Sequence, residues 1–426
     1  MQLTDQEKAV LDGKEGRARQ KAMALLVRYG EALGAERLVD TNNVCGGVPG
    51  GLPLVRDFDK KAGSIDAVFS EINLDAGEIV EVPKVKAMSC RLIQGMDPEY
   101  WELQGVSKEN YELNMRIEKF CARIGLNLMN TCAPYQVGNV PVKGEHCAWM
   151  ESSAVIYCNS VLGGRTNTEG SASTGAAMLV GKIPYWGYHL DENRKGTHLV
   201  EVEYDVDRVM DWGLMGYYVG EIVQEKIPVF KGIKKVPNLS KVKHMGAAAA
   251  SSGGVEMYHI VGITPEAWSL EEAFGKNRPV ETLRFGETER REAYENVTSG
   301  KDPNVDFVML GCPHYALEQV WRVCQLLEGK KIHPDVSLWI FTAQAIKTVA
   351  DRMGYTEIIH NAGGYLMTDT CPAIGRVKPE GARVAAVDSC KQAHYLQPNL
   401  GMETWFGSME DCVDAAMTGK WRGELS

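Results

Sequence analysis

No two cysteines in this sequence are spaced Cys-x-x-Cys. That absence argues against a zinc ribbon, a thioredoxin motif and a ferredoxin-type run. No window holds eighteen consecutive apolar residues, so no membrane span is expected. The start, Met1-Gln2-Leu3-Thr4-Asp5-Gln6-Glu7, lacks the basic and apolar regions of a signal peptide. The cytoplasm is the expected compartment. No long Lys/Arg cluster occurs and the net charge is −10, which argues against nucleic-acid binding. No internal repeat or low-complexity linker is visible.

What is present is ordinary in bulk. The 426 residues are too many for one core, so two or three domains are expected. Hydrophobic residues make up 44% and charged residues 24%, an ordinary soluble composition. The cysteines are many for a cytosolic chain, and at 11 their number is odd. A disulfide framework is not expected in a chain of this size. Metal ligation and buried thiols remain.

The polar chemistry concentrates between residues 131 and 170. Thr131-Cys132-Ala133-Pro134-Tyr135 is followed by Gly144-Glu145-His146, Glu151-Ser152-Ser153, Asn159-Ser160 and Gly163-Gly164-Arg165-Thr166-Asn167-Thr168-Glu169-Gly170. A packed core segment would be richer in Leu, Ile and Val. A surface loop would lack the run Ala154-Val155-Ile156-Tyr157. The polar groups are read as held on a buried scaffold, where they need partners or a ligand. A second polar cluster, from Trp186 to Arg194, contains His189 and Asp191.

Thr4, with Glu7 three residues on, caps the first of the helices expected over 4–33. Residues 42–51 are glycine-dense and read as a loop. Residues 79–82 read as a strand. Ser107 caps a helix ending near Gly125, with Leu113, Ile117, Cys121 and Ile124 on one stripe. A short strand is expected over 127–131 and a helix over 146–162, with Ser152 and Asn159 on one face. Residues 200–204 alternate as a strand does. The small residues 247–254 lead into a strand over 255–261; they let either a ligand or another element come close. From about 300 the pattern is strand–turn–helix, with strands at 305–310, 336–341 and 383–387. This is βαβ logic with a mostly parallel sheet, whose sites sit at the carboxyl ends of strands.

Three cysteines share a local setting: Cys132-Ala133-Pro134, Cys312-Pro313 and Cys371-Pro372. Proline beside a ligand stiffens its turn. Three thiolates on separate loops could hold an iron–sulfur cluster and leave one iron without a protein thiolate. Such an iron can act as a Lewis acid. Three unrelated buried thiols are the alternative.

The ordered motifs resemble the aconitase X family, and within it the large subunit. Besides the 131–170 stretch they include Gly187-Tyr188-His189-Leu190, Ala250-Ser251-Ser252-Gly253, Gly311-Cys312-Pro313-His314, Asp369-Thr370-Cys371 and Lys391-Gln392-Ala393-His394-Tyr395. The resemblance implies an α/β fold: a three-domain aconitase-like body with mostly parallel sheets and an N-terminal helical segment. The expected divisions are an N-terminal helical segment with its glycine-rich loop (1–60), a first α/β domain carrying Cys132 (61–205), a second (206–300), and a third carrying Cys312 and Cys371 (301–426). The resemblance also implies an iron–sulfur cluster, four-iron or two-iron, held by Cys132, Cys312 and Cys371. The implied reaction is dehydration of a small hydroxy acid, cis-3-hydroxy-L-proline in the first reading and mevalonate 5-phosphate in the second.

Arg165 is suited to clamp a substrate carboxylate. Ser152, Ser153, Asn159, Thr166, Asn167, Ser252 and His394 are further candidate substrate contacts. Glu145, Glu151, His189 and Lys391 are candidates for proton transfer. The family also uses a small swivelling domain that supplies a catalytic serine. It is expected on a separate small subunit, because little follows Lys420-Trp421-Arg422-Gly423 to build it. From another class, the chain could be a noncatalytic cluster-bearing subunit that binds or senses a ligand.

Overall fold

The computed structural model describes residues 1–47 and 53–425. It is a mixed α/β fold in which three parallel sheets are wrapped by helices. In the first sheet, Asn43–Gly46 lies between Met88–Arg91 and Ala148–Trp149. Helices Arg17–Ala32, Ile65–Leu74, Lys108–Ile124 and Ser171–Val180 bury Leu26, Phe69, Ile117 and Met178 in one core. The Thr4–Glu7 capping box forms as expected. Ser107 and Gly125 bound their helix, and its Leu113, Ile117, Cys121 and Ile124 stripe is buried.

Several short expectations fail, each for a local reason. The segment Asn43–Gly46 is a buried strand and not a loop; residues 48–51 of that passage lie outside the described residues. Residues 79–82 form no strand, because Ser70 and Asp66 side chains take the main-chain N–H groups of Val80 and Val82. Residues 127–131 make one bridge, at Asn127, before Asn130 turns left-handed at φ 44°. The helix expected from His146 starts at Ser152, after the strand Ala148–Trp149. It then widens into a π turn at Cys158–Leu162, which contains Asn159.

The second sheet runs His259–Ile260, Pro228–Lys231, His198–Val202, Glu281–Phe285, all parallel. Between its strands, helices Val209–Val223 and Leu239–Gly253 touch backbone to backbone. A Cβ on Gly253 would fall 1.9 Å from the Gly220 carbonyl oxygen, and one on Gly216 2.2 Å from that of Met245. The small residues 247–253 therefore belong to a helix and serve helix packing. The expected strand over 255–261 shrinks to His259–Ile260.

The third sheet is the one most readable from sequence. Its order is Tyr365–Met367, Ser337–Thr342, Phe307–Tyr315, Val384–Val387, Glu403–Phe406, all parallel. Its strands are buried on both faces, so they read as continuous apolar runs. No described helix is long and apolar enough to cross a membrane.

Candidate active site

In the third sheet the strand order reverses between Phe307–Tyr315 and Val384–Val387. Ligands of open parallel sheets settle in the crevice at such a point, beyond the carboxyl ends. Cys312 and His314 lie near the end of the first strand, and Lys391 opens the helix Cys390–Leu400 after the second. Ser389 caps that helix, accepting from Gln392 N at 3.3 Å, and so fixes where Lys391 begins. Cys371 precedes the short helix Pro372–Gly375. Glu151 comes from the first sheet; it caps helix Ser152–Tyr157 just beyond Ala148–Trp149. Cys132 arrives on the turn before Pro134.

Lys391 Nζ donates to Glu151 Oε1 at 2.5 Å and reaches Ser152 Oγ at 3.5 Å. The Ser153 hydroxyl donates to the same carboxylate oxygen at 3.0 Å. Burial alone would pull the Lys391 ammonium down, but Glu151 and then the Cys312 thiol carry it well above its ordinary value. Burial alone would lift Glu151, but Lys391 and Ser153 hold it below the usual carboxylate range. Both groups are thus charged at neutral pH. Burial pushes the Cys132 thiol up to about 12, lifts Cys312 well above its ordinary value and raises Cys371. Glu151 adds to all three shifts and Lys391 opposes all three, so five groups share one electrostatic neighbourhood.

Behind the thiols lies a buried cation that the sequence reading passed over. Lys243 Nζ donates to the His314 carbonyl at 2.8 Å and to Gln319 Oε1 at 2.6 Å. Burial pulls its pKa down to about 8. The available signal was a charge set within the buried helix run Val242 to Ala250. Asp388, lifted by burial to about 6, accepts the Tyr315 hydroxyl close by in sequence to Lys391.

A second polar group forms around His189, which is fully buried with its Nδ1 2.9 Å from His146 Nδ1. Arg165 donates to the His189 carbonyl at 2.9 Å and pairs with the exposed Asp191. The Asn159 amide donates to the carbonyls of Thr166 at 2.8 Å and Glu256 at 3.0 Å. The Thr166 hydroxyl donates to the Asn167 carbonyl at 2.8 Å, and Asn167 Oδ1 accepts from Tyr188 N at 2.8 Å. Glu145 accepts from Asn43 Nδ2 at 3.3 Å and Val142 N at 3.0 Å. Ser252 donates to the Tyr217 carbonyl at 2.8 Å, while His394 Nδ1 lies 3.0 Å from the Tyr217 hydroxyl.

Lys391 thus bonds Glu151 and Ser152, Ser153 braces Glu151, and the ion pair acts electrostatically on Cys132, Cys312 and Cys371. Glu145, Asn159, Arg165, Thr166, Asn167, His189 and Ser252 bond to other partners, and His394 stands one turn along from Lys391. If these contacts are its whole role, Arg165→Lys should keep turnover and cost about 1–2 kcal/mol, because the ammonium keeps the pair with Asp191, which is 77% exposed, but gives up the fork that also reaches the His189 carbonyl. Lost turnover in a variant of unchanged stability would return Arg165 to the substrate.

Models of the first, second and third aconitase X domains match residues 1–192, 196–295 and 305–418. The chain belongs to the aconitase X family. The crystal structure titled Thermococcus kodakaraensis aconitase X (holo-form) superposes with a TM-score of 0.82 at 32% identity, over 98% of this chain and 100% of that one. The phosphomevalonate dehydratase large subunit of Methanocaldococcus jannaschii is 36% identical over 97% of this chain and 99% of its own length. The cis-3-hydroxy-L-proline dehydratase of Hypocrea jecorina is 33% identical, over 98% of this chain and 69% of that protein. A Pseudomonas aeruginosa enzyme of the same name is 32% identical over 97% of this chain and 70% of its own. The Methanocaldococcus, Hypocrea and Pseudomonas relatives are all named dehydratases, and dehydratases are hydro-lyases.

Proposed function

We propose that the chain is the large subunit of an aconitase X hydro-lyase that dehydrates a small hydroxy acid through an iron–sulfur cluster held by Cys132, Cys312 and Cys371. The convergence of these thiols with the Glu151–Lys391 pair at the crevice of the third sheet is the observation that supports it most. The donor set suits a cluster: the thiols are free of disulfides, and burial disfavours them as thiolates until a cation joins them. Among the described residues no three His, Cys, Asp or Glu side chains are placed to share one metal ion. A cluster has several metal atoms, so its ligands need not meet at one point. Bound there, it would supply a Lewis-acidic iron for the departing hydroxyl.

The chain's own residues would do the rest. Lys391 stays protonated, so it serves as a fixed positive charge toward a substrate carboxylate and not as the base. Glu151 and Ser152 orient it. The base is then expected from a small partner subunit, in line with the "large subunit" names of several relatives. Closure of that partner would exclude water from the crevice. Relatives of both substrate types match at similar identity, so cis-3-hydroxy-L-proline and mevalonate 5-phosphate are the two substrates to test.

The experiment is an anaerobic dehydration screen of both compounds with the two-subunit complex. Turnover of one compound by the complex and none by this chain alone is expected. No turnover of either compound by iron-loaded complex would sink the reading. For the ligands, Cys132→Ser, Cys312→Ser and Cys371→Ser should each lose bound iron and sulfide. Cys121→Ser and Cys324→Ser should keep both, since those thiols lie buried on helices away from the crevice. Retained cluster in any of the first three would remove that residue from the ligand set.

A further inference from the structure

We infer that His314 is a positioning residue that sets the three thiol loops against one another; the inference rests on the cluster reading above. His314 stands two residues after Cys312 on the strand Phe307–Tyr315 and is 2% exposed. Its ring reaches the two other cysteine loops at the residue immediately before each cysteine. Nδ1 lies 3.0 Å from the Thr131 hydroxyl, next to Cys132. Nε2 lies 3.0 Å from the Thr370 carbonyl, next to Cys371.

The chemistry of these partners assigns the ring. A carbonyl only accepts, so Nε2 carries the hydrogen, and Nδ1 accepts from the Thr131 hydroxyl. That hydroxyl oxygen also takes the Ala133 N–H at 3.1 Å, which folds the Cys132 turn around it. The main chain adds three more ties. His314 N donates to Cys132 Sγ at 3.3 Å, and its carbonyl accepts from Gln136 Nε2 at 3.0 Å and Lys243 Nζ at 2.8 Å.

An apolar side chain could fill this space without the desolvation cost of an imidazole. Instead the ring acts as a strut with an acceptor at one end and a donor at the other. The loops it joins are far apart in sequence: 183 residues separate His314 from Thr131, and 56 separate it from Thr370. Other bonds also hold each loop, among them Cys371 N to the Gln94 carbonyl at 3.1 Å and Asn130 Nδ2 to Asp369 Oδ2 at 2.8 Å, so losing one end of the strut should loosen the loop at that end more than the other.

The two ends can be cut separately. His314→Asn leaves an amide oxygen near the Nδ1 position and removes the donor to Thr370. His314→Gln leaves an amide nitrogen near the Nε2 position and removes the acceptor for Thr131. The readout is the iodoacetamide alkylation rate of each cysteine in the iron-free full chain, resolved by mass spectrometry. His314→Asn should speed Cys371 about five-fold, the worth of one net hydrogen bond in a local opening, and leave Cys132 within about twofold. His314→Gln should show the reverse, and Thr131→Val should repeat the His314→Gln pattern with the ring untouched. Rates at Cys121 and Cys324 report global unfolding and should not move. The inference is overturned if both thiols speed together in each variant, or if neither responds in any of the three. Iron and sulfide uptake after anaerobic reconstitution separates the two claims. An unchanged wild-type protein that binds no iron would end the cluster reading, while the split alkylation pattern would still establish the strut.

Discussion

Lys391→Met is expected to destabilise the chain by about 3–5 kcal/mol and to end turnover. Lys391 and Glu151 are 13% and 14% exposed, so removing the ammonium strands a carboxylate with little water to hold it. The carboxylate would keep only its contact with Ser153. A second change, Glu151→Gln, should recover most of the stability, because a neutral amide tolerates the site and can still accept from Ser153. Turnover should stay absent in the double variant, since the fixed positive charge is gone. Urea midpoints of the wild type, both single variants and the double variant measure this coupling. A single-variant loss below about 1 kcal/mol would mean that the pair is solvated after all. The pH sign follows from the carboxylate. Its folded pKa lies below the ordinary one, so the pair's contribution is complete above the ordinary value and is lost only as pH falls through the lowered one. Across neutral pH the pair should be constant.

Two buried histidines should each weaken the fold in mild acid. Burial, then His146, pulls His189 down to about 3. Burial, then Lys243, pulls His244 down to about 3 as well. His244 Nε2 lies 3.2 Å from Gln319 Nε2, an amide nitrogen that only donates, so the imidazole there is neutral and accepting. An unfolded chain takes up a proton on each ring below about pH 6.5, whereas the folded one does not until far lower. Each ring should therefore contribute a loss of about 1.4 kcal/mol per pH unit as pH drops below about 6.5, while the buried carboxyls of Asp388, Glu169 and Asp369, raised by burial to about 6, 7 and 7, work the other way. Denaturant midpoints from pH 7.5 to 4.5 read the slope. His189→Gln and His244→Gln should each flatten it by the equivalent of one proton. Unchanged slopes in both variants would show that neither ring stays neutral in the fold.

The third domain was the most legible because its two longest strands are apolar and alternate with amphipathic helices, while Tyr365–Met367 and Glu403–Phe406, three and four residues long, went unread. Phe307–Tyr315 and Ser337–Thr342 announce themselves by composition alone. The first sheet was not. Its strands hold two to four residues, among them Asn43, Gly46 and Arg91, and their pairing comes from tertiary contacts that no local pattern records. The site was half legible. Prolines marked the proposed ligands Cys132, Cys312 and Cys371, and motif content marked Glu151 and Lys391. That the last two form one ion pair depends on packing between the first and third domains. Packing also supplies what the sequence does not show for Arg165: it suggested a substrate clamp, and in the fold it bonds a main-chain carbonyl and Asp191.

The Glu151–Lys391 contact spans 240 residues. During synthesis the ribosome must release nearly the whole chain before the two can meet. Cys132 emerges early and waits for Cys312 and Cys371, which arrive with the last domain. If the proposed cluster is held by these three thiols, a nascent chain carries Cys132 without its partners through most of its translation, and the cluster can be installed only after release. On that reading, the interval between the end of translation and cluster delivery is when shortage of iron would matter most to this protein.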